Sequence, residues 1–122
     1  ALLDTLPYPQ LAGVRLNGRL TRDESVADFA GVELARAAML SALPQGGAEA
    51  DKAFYTGWAQ LWAQHVTADE AQRRSMQDVR APGQWRANAA LTQQAPFGVA
   101  FGCKQGTPMQ PRKPDELISI FP

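Results

Sequence analysis

The chain has few of the residues that cross-link or anchor a small protein. It has one cysteine among 122 residues, Cys103, so it cannot form an internal disulfide. Its single histidine, His65, means that no two-histidine site can come from this chain alone. No apolar run approaches the ~20 residues that a membrane-spanning helix needs. The 12 basic and 12 acidic residues cancel, which removes the electrostatic case for nucleic-acid binding.

What is present favours one globular domain over residues 1–122. Hydrophobic residues make up 45% of the chain, and no composition shift marks a boundary. Helical periodicity without alternating strands predicts an all-α fold: a small helical domain with three main helices, one or two short ones and an extended proline-rich tail. The predicted main helices are 22–42, 49–65 and 67–77. A short helix opens at 95–96 and ends at Gly102, the tail covers 106–114, and Leu117, Ile118, Ile120 and Phe121 are expected to fold back.

The second predicted helix carries an aromatic stripe. Its members recur at helical spacing and predict a buried face: Phe54, Gly57, Trp58, Leu61, Trp62 and His65. At the end of that stripe, His65 suits the negative end of the helix dipole. It has no sequence neighbour that indicates metal binding or acid–base chemistry.

Two carboxylates stand near the start of the first helix. Glu24 and Asp28 are four residues apart, so they share one helix face and repel each other unless a positive group lies beside them. A metal ion, with a histidine between it and the second carboxylate, would supply that charge. The alternative is structural, because Thr21 and Glu24 fit a capping box at the helix N-terminus.

The surrounding segments match those of a known family in the same order. LNGRLT at 16–21 leads into ESVAD at 24–28, FYTGWAQLW follows at 54–62, and DVRAPGQWRAN follows at 78–88. AFGC at 100–103 comes next, with a methionine and a proline a few residues later. Together these matches, over roughly residues 11–122, resemble the C-terminal part of the neprilysin-like zinc metallopeptidases, peptidase family M13, of bacterial type.

The resemblance implies part of a zinc-dependent metalloendopeptidase that hydrolyses peptide bonds. Glu24 would be the third zinc ligand, and Asp28 would accept a hydrogen bond from a ligating histidine. Ser25 and Arg86 would bind substrate, and Arg86 and Arg80 would stabilise charge during catalysis. Within this chain alone, Arg86 could instead tie its turn to a carboxylate such as Asp28 or Asp78.

The chain also departs from the family pattern. It lacks H-E-x-x-H, so it resembles the part that follows the two-histidine helix, and alone it is expected neither to bind zinc tightly nor to catalyse. Arg80 replaces a usual histidine and Ser25 a usual asparagine, which leaves a non-catalytic helical binding module as the alternative. The implied partners are the rest of the parent peptidase and peptide substrate. A homodimer is a separate expectation, because the apolar residues of the first helix exceed one face. The implied location is extracytoplasmic. Cys103 either pairs with another part of the parent chain or is a buried thiol.

Overall fold

Helices make up the regular structure of this protein. A computed structural model describes residues 2–119. Within them lie α1 (Gly18–Ala42), α2 (Gly47–Leu61), α3 (Ala68–Gln77), α4 (Gly83–Thr92) and α5 (Ala95–Phe101), with 3-10 turns at Leu3–Thr5 and Pro114–Glu116. The described range contains no strand, only isolated bridges between Pro7 and Arg15 and between Thr107 and Gln110. The all-α prediction is therefore confirmed. None of these helices is long and apolar enough to cross a membrane.

The first helix begins earlier than its sequence indicates. Asn17 is the N-cap, and its Oδ1 accepts a hydrogen bond from the backbone N–H of Leu20 at 3.1 Å. The Gly18 N–H donates to Asp4 Oδ1 at 3.0 Å, which satisfies another free donor of the first turn. Thr21 lies inside the helix and its hydroxyl donates to the Asn17 carbonyl. The capping box predicted at Thr21 and Glu24 is therefore wrong, because asparagine caps a helix as well as threonine does.

The next two helices differ in how well local signals predicted them. α2 ends at Leu61, so His65 lies four residues beyond it, exposed, and not in the last turn. α3 begins where predicted, with the Thr67 hydroxyl accepting from the Glu70 N–H at 3.2 Å. The Glu70 carboxylate binds the side chains of Arg73 and Arg74 instead of turning back to the cap. Thr67 therefore caps α3 without the reciprocal contact from Glu70 that a full capping box has.

The main core lies where α1, α2, α4 and α5 meet. It consists of Phe29, Val32, Tyr55, Ala89, Ala90, Leu91 and Phe97. Tyr55 is fully buried and packs edge-on against Phe54 and Phe97 at centroid distances of 5.3 and 5.5 Å. The buried face of α2 is therefore offset by about one residue from the predicted aromatic stripe. Phe54 and Trp58 pack on the core, whereas Leu61 is 66% exposed.

A smaller core holds the N-terminal segment against α3 and the start of α4. Leu3, Tyr8, Leu16, Ala71 and Ala81 form it. Two long-range contacts fix its position: the Trp85 indole N–H donates to the Pro7 carbonyl at 2.8 Å, and the Leu16 N–H donates to the Leu6 carbonyl at 2.8 Å. This segment therefore closes over the loops that lead into α3 and α4.

The C-terminal segment follows α5. Gly102 ends that helix as predicted, in the left-handed conformation at φ +62°. The predicted extended tail is not shown, since turns occupy residues 105–109 and a 3-10 turn follows. Leu117 is half-buried, Ile118 is 43% exposed, and Ile120 and Phe121 lie outside the described residues. Cys103 is half-buried with a free thiol, and its pairing outside this chain stays a prediction.

Candidate active site around Arg86

α1 presents three of the predicted site residues within just over one turn. Glu24 is half-buried, and its carboxylate has no hydrogen bond or ion pair within residues 2–119. Ser25 is 4% exposed, since its side of the helix packs on the protein. Asp28 lies one turn beyond Glu24 and is half-buried. The helix therefore places one free carboxylate and one bound carboxylate next to each other.

The partner of Asp28 is Arg86, at the first turns of α4. Arg86 Nε donates to Asp28 Oδ2 and Arg86 Nη2 donates to Asp28 Oδ1, both at 2.8 Å. The two side chains are 17% and 12% exposed. A two-bond pairing of this kind is the strong form of an arginine–carboxylate contact. A positive charge is thus present beside Asp28 in this chain, as a guanidinium.

Two tryptophans fix the position of Arg86. The guanidinium carbon lies 3.5 Å from the centroid of the Trp62 ring, a cation–π arrangement. The Trp58 indole N–H donates to the Arg86 carbonyl at 3.1 Å. Of the five N–H groups of a guanidinium, Arg86 uses two on Asp28. The other three remain available to an acceptor while the side chain is held from two sides.

A cavity of about 420 Å³ opens beside this arginine. Its wall combines the start of α4, the last turns of α3, the 62–66 segment and the N-terminal turn. Charged and hydrogen-bonding side chains in that wall include Tyr8, Arg73, Arg74, Asp78, Arg80 and Arg86. Arg80 is exposed, and its backbone N–H donates to Asp78 Oδ1 at 3.0 Å. Its guanidinium has no ion pair in the described part of the chain.

The structure thus joins some predicted residues and separates others. Arg80 and Arg86 share the cavity, and Asp28 is connected to it through Arg86. Glu24 and Ser25 are not part of its wall. Sequence reasoning missed Tyr8 and assigned Trp62 to the core because tryptophan at helical spacing is typical of a core face. No local pattern indicates that a residue near the N-terminus lines this cavity.

The donor set does not amount to a metal site by itself. Among residues 2–119, no group of three histidine, cysteine, aspartate or glutamate side chains lies close enough to hold a metal ion. Glu24 is a free carboxylate, and catalytic zinc takes three protein ligands. The described residues therefore do not complete a three-ligand zinc site.

Comparisons with known proteins identify the family to which the chain belongs. The family model described as Peptidase family M13 matches residues 4–117. Neprilysin-1 of Caenorhabditis elegans is 35% identical over 111 residues, covering 82% of this chain and 15% of that protein. Endothelin-converting enzyme 1 of Rattus norvegicus is 29% identical over 114 residues, covering 86% and 15%. Human membrane metallo-endopeptidase-like 1 is 30% identical over 107 residues, covering 80% and 14%.

These matches have two further features. The chain spans about 15% of the length of the curated relatives it matches, and no solved structure matches it significantly. The relatives named above are animal proteins, so the bacterial type stays a prediction. Because the family model covers nearly the whole chain, and because a 35% identical relative aligns with 82% of it, this chain belongs to peptidase family M13.

Proposed function

We propose that this chain is part of a zinc-dependent metalloendopeptidase, to which it contributes the third zinc ligand, Glu24, and a substrate-contacting arginine, Arg86. Family M13 consists of metallopeptidases that act on peptides, which supports the reaction class. The observation that carries the proposal is the pairing of Asp28 with Arg86, one helical turn from a carboxylate that has no partner. Bound zinc would activate a water molecule for attack on the amide.

Glu24 suits a ligand because nothing in the described chain competes for it. Its carboxylate oxygens are not fully buried, so they are open to a cation supplied from elsewhere. Binding such a cation would break no contact that Glu24 makes within the described residues. The two histidines of the motif missing here would come from another part of a longer protein, so the isolated chain is proposed to be inactive.

Asp28 can serve both Arg86 and a ligating histidine. A carboxylate accepts about four hydrogen bonds, and Arg86 uses two of them. The remaining acceptors would receive the N–H of a histidine and so fix its tautomer. Arg86 in turn keeps three N–H groups for a substrate carbonyl, and Asp28 and Trp62 hold it in place for that contact.

Arg80 and Ser25 have the two remaining proposed roles. Arg80 has a free guanidinium at the cavity, which favours a donor to developing negative charge during catalysis. Ser25 is 4% exposed, so a substrate contact would use only a small part of its surface. The alternative, a non-catalytic helical binding module, keeps the Asp28–Arg86 pair but gives Glu24 no metal.

The test uses the longer protein that contains this chain. Glu24→Gln keeps the size of the side chain and removes its charge, so bound zinc should fall well below one per molecule and peptide hydrolysis should drop by at least about 100-fold. Asp23→Asn is the matched control, because Asp23 is the adjacent acid on the same helix and is 88% exposed. It should keep both zinc and activity. Unchanged zinc content and hydrolysis in Glu24→Gln would reject the proposal and favour the binding module.

A further inference from the structure

The cavity beside Arg86 holds more positive charge than its own carboxylates neutralise. Four arginines line it, and Asp78 is the one acid among the lining residues. Arg86 is neutralised by Asp28, whereas Arg73 and Arg74 share the single carboxylate of Glu70. Arg80 has no ion pair within the described residues. The cavity therefore has positive charge that an anion could neutralise.

Arg74 contributes unused donors that are partly shielded from water. It bonds Glu70 through Nε alone, at 2.9 Å, whereas Arg73 uses both Nε and Nη2 on the same carboxylate. With five N–H groups on a guanidinium, four of Arg74 have no acceptor in the described part of the chain. The side chain is 34% exposed, so much of its surface is already out of bulk water. These N–H groups are placed to bind an acceptor without any rearrangement of the Glu70 pair.

Tyr8 provides a second type of donor at the cavity. It is 6% exposed and packed in the smaller core, yet its hydroxyl has no hydrogen-bond partner in residues 2–119. The ring is buried but the hydroxyl oxygen is not, so the hydroxyl is open to the cavity that Tyr8 lines. Burial, and after it the charge of Asp78, raises the pKa of the Tyr8 phenol, while Arg74 lowers it. The phenol therefore stays protonated at neutral pH and remains a donor, within the field of Arg74.

We propose that this cavity binds a carboxylate of the peptide substrate, held by the free N–H groups of Arg74 and the hydroxyl of Tyr8, with Arg80 adding positive charge. That the ligand is a peptide rests on the proposed function, and that it is a carboxylate follows from the side chains that line the cavity. The volume of about 420 Å³ is within the usual range of small-ligand pockets. The carboxylate could belong to an acidic side chain or to the C-terminus of the peptide.

The test measures peptide binding to the 122-residue chain, by calorimetry or by NMR chemical shifts. Four short peptides are compared, with glutamate or glutamine at one internal position and with a free or an amidated C-terminus. One charge-assisted contact predicts about a tenfold preference for the peptide with the favoured carboxylate. That preference should weaken as salt is added. If it depends on glutamate, an acidic side chain is the ligand, and if it depends on the free terminus, the C-terminal carboxylate is.

Two variants and one control make the assignment specific. Tyr8→Phe removes the hydroxyl and keeps the buried ring, and Arg74→Gln leaves Glu70 paired with Arg73. Each should reduce the preference to about twofold or less. Arg112→Gln removes an exposed arginine from another part of the surface and should leave the preference unchanged. Circular dichroism checks that every variant is folded, and Tyr8→Phe is conservative enough to carry the test if Arg74→Gln is not.

The outcomes separate this inference from the proposed function. Equal or absent binding of all four peptides overturns it, as does a preference that survives in both variants. Hydrolysis is measured separately, on the longer protein that contains this chain. Carboxylate-selective binding without hydrolysis would sustain the inference and reject the proposed function. Hydrolysis by the longer protein, without carboxylate-selective binding, would sustain the proposed function and reject the inference.

Discussion

The pair between Asp28 and Arg86 offers the sharpest test of how this fold is held together. Asp28→Asn removes the negative charge and leaves a guanidinium, 17% exposed, without its counter-ion. It also replaces one acceptor of a 2.8 Å bond by an amide N–H that faces a donor. The pair joins α1 to α4, so the change weakens the contact between two helices that build the main core.

The expected cost lies between two known limits. Breaking a fully buried ion pair by removing one partner costs about 3–5 kcal/mol, and exposed pairs contribute about 0.2–1 kcal/mol. With side chains 12% and 17% exposed, the Asp28–Arg86 pair lies nearer the buried limit, but the cavity beside Arg86 allows some rehydration. We therefore expect a loss of about 2–3 kcal/mol in the free energy of unfolding.

Urea unfolding, followed by tryptophan fluorescence and circular dichroism, measures this loss. The midpoint should fall while the slope stays constant, as for a change in stability alone. Asp23→Asn serves as control, since its pair with Arg22 is 69% and 88% exposed and should contribute less than about 0.5 kcal/mol. A double variant with Arg86→Gln should show a coupling energy of about 1–2 kcal/mol. If Asp28→Asn costs no more than the control, the pair is not a structural link.

The remaining predictions concern packing, acid stability and association. Gly83→Ala should destabilise the chain by about 1–3 kcal/mol, because a Cβ there would lie 2.2 Å from the Trp62 carbonyl oxygen. Gly57→Ala, with nothing within 4 Å, should stabilise it by about 0.5–1 kcal/mol in the same unfolding assay; equal stabilities would contradict the packing argument. Two arginines lower the pKa of Glu70 from 4.5 to about 2, so its contribution is complete above pH 4.5 and disappears as the pH falls towards 2. Glu70→Gln should therefore flatten the loss of stability over that range, and identical acid profiles would refute this. Sedimentation at micromolar concentration should show a two-fold dimer with α1 near the axis, because Leu34 on that helix is 52% exposed; a monomer at every concentration would contradict it.

Several elements were predictable because their signals are local. Thr67 caps α3 and Gly102 ends α5, and each acts on backbone groups within a few residues. The shared face of Glu24 and Asp28 follows from the helix period alone. Family membership was equally accessible, since it depends on the order of short segments and not on their contacts. For these features the sequence alone was sufficient.

Local sequence signals failed where contacts with distant residues determine the start of a helix or its buried face. Asn17 and Gly18 could start a turn or a helix, and the carboxylate of Asp4, 14 residues away, favours the helix by accepting from Gly18. The buried face of α2 centres on Tyr55 and not on the stripe through Leu61, because α1 and α5 pack on that side and Asp51 is bound by Arg36. Periodicity predicts that a helix has a buried face, but neighbouring helices decide which face it is.

The candidate site shows the same division. Sequence alone indicated Glu24, Asp28, Arg80 and Arg86, and it left open whether Arg86 would bind a carboxylate of its own chain. Only the packing of α4 on α1 decided that Asp28, 58 positions from Arg86, is that partner. The cavity belongs entirely to the tertiary structure, because Tyr8 and Arg74 come together only when the N-terminal turn closes over α3. Charges and hydrogen-bond donors can be counted in a sequence, but which of them remain unpaired depends on distances that folding alone sets.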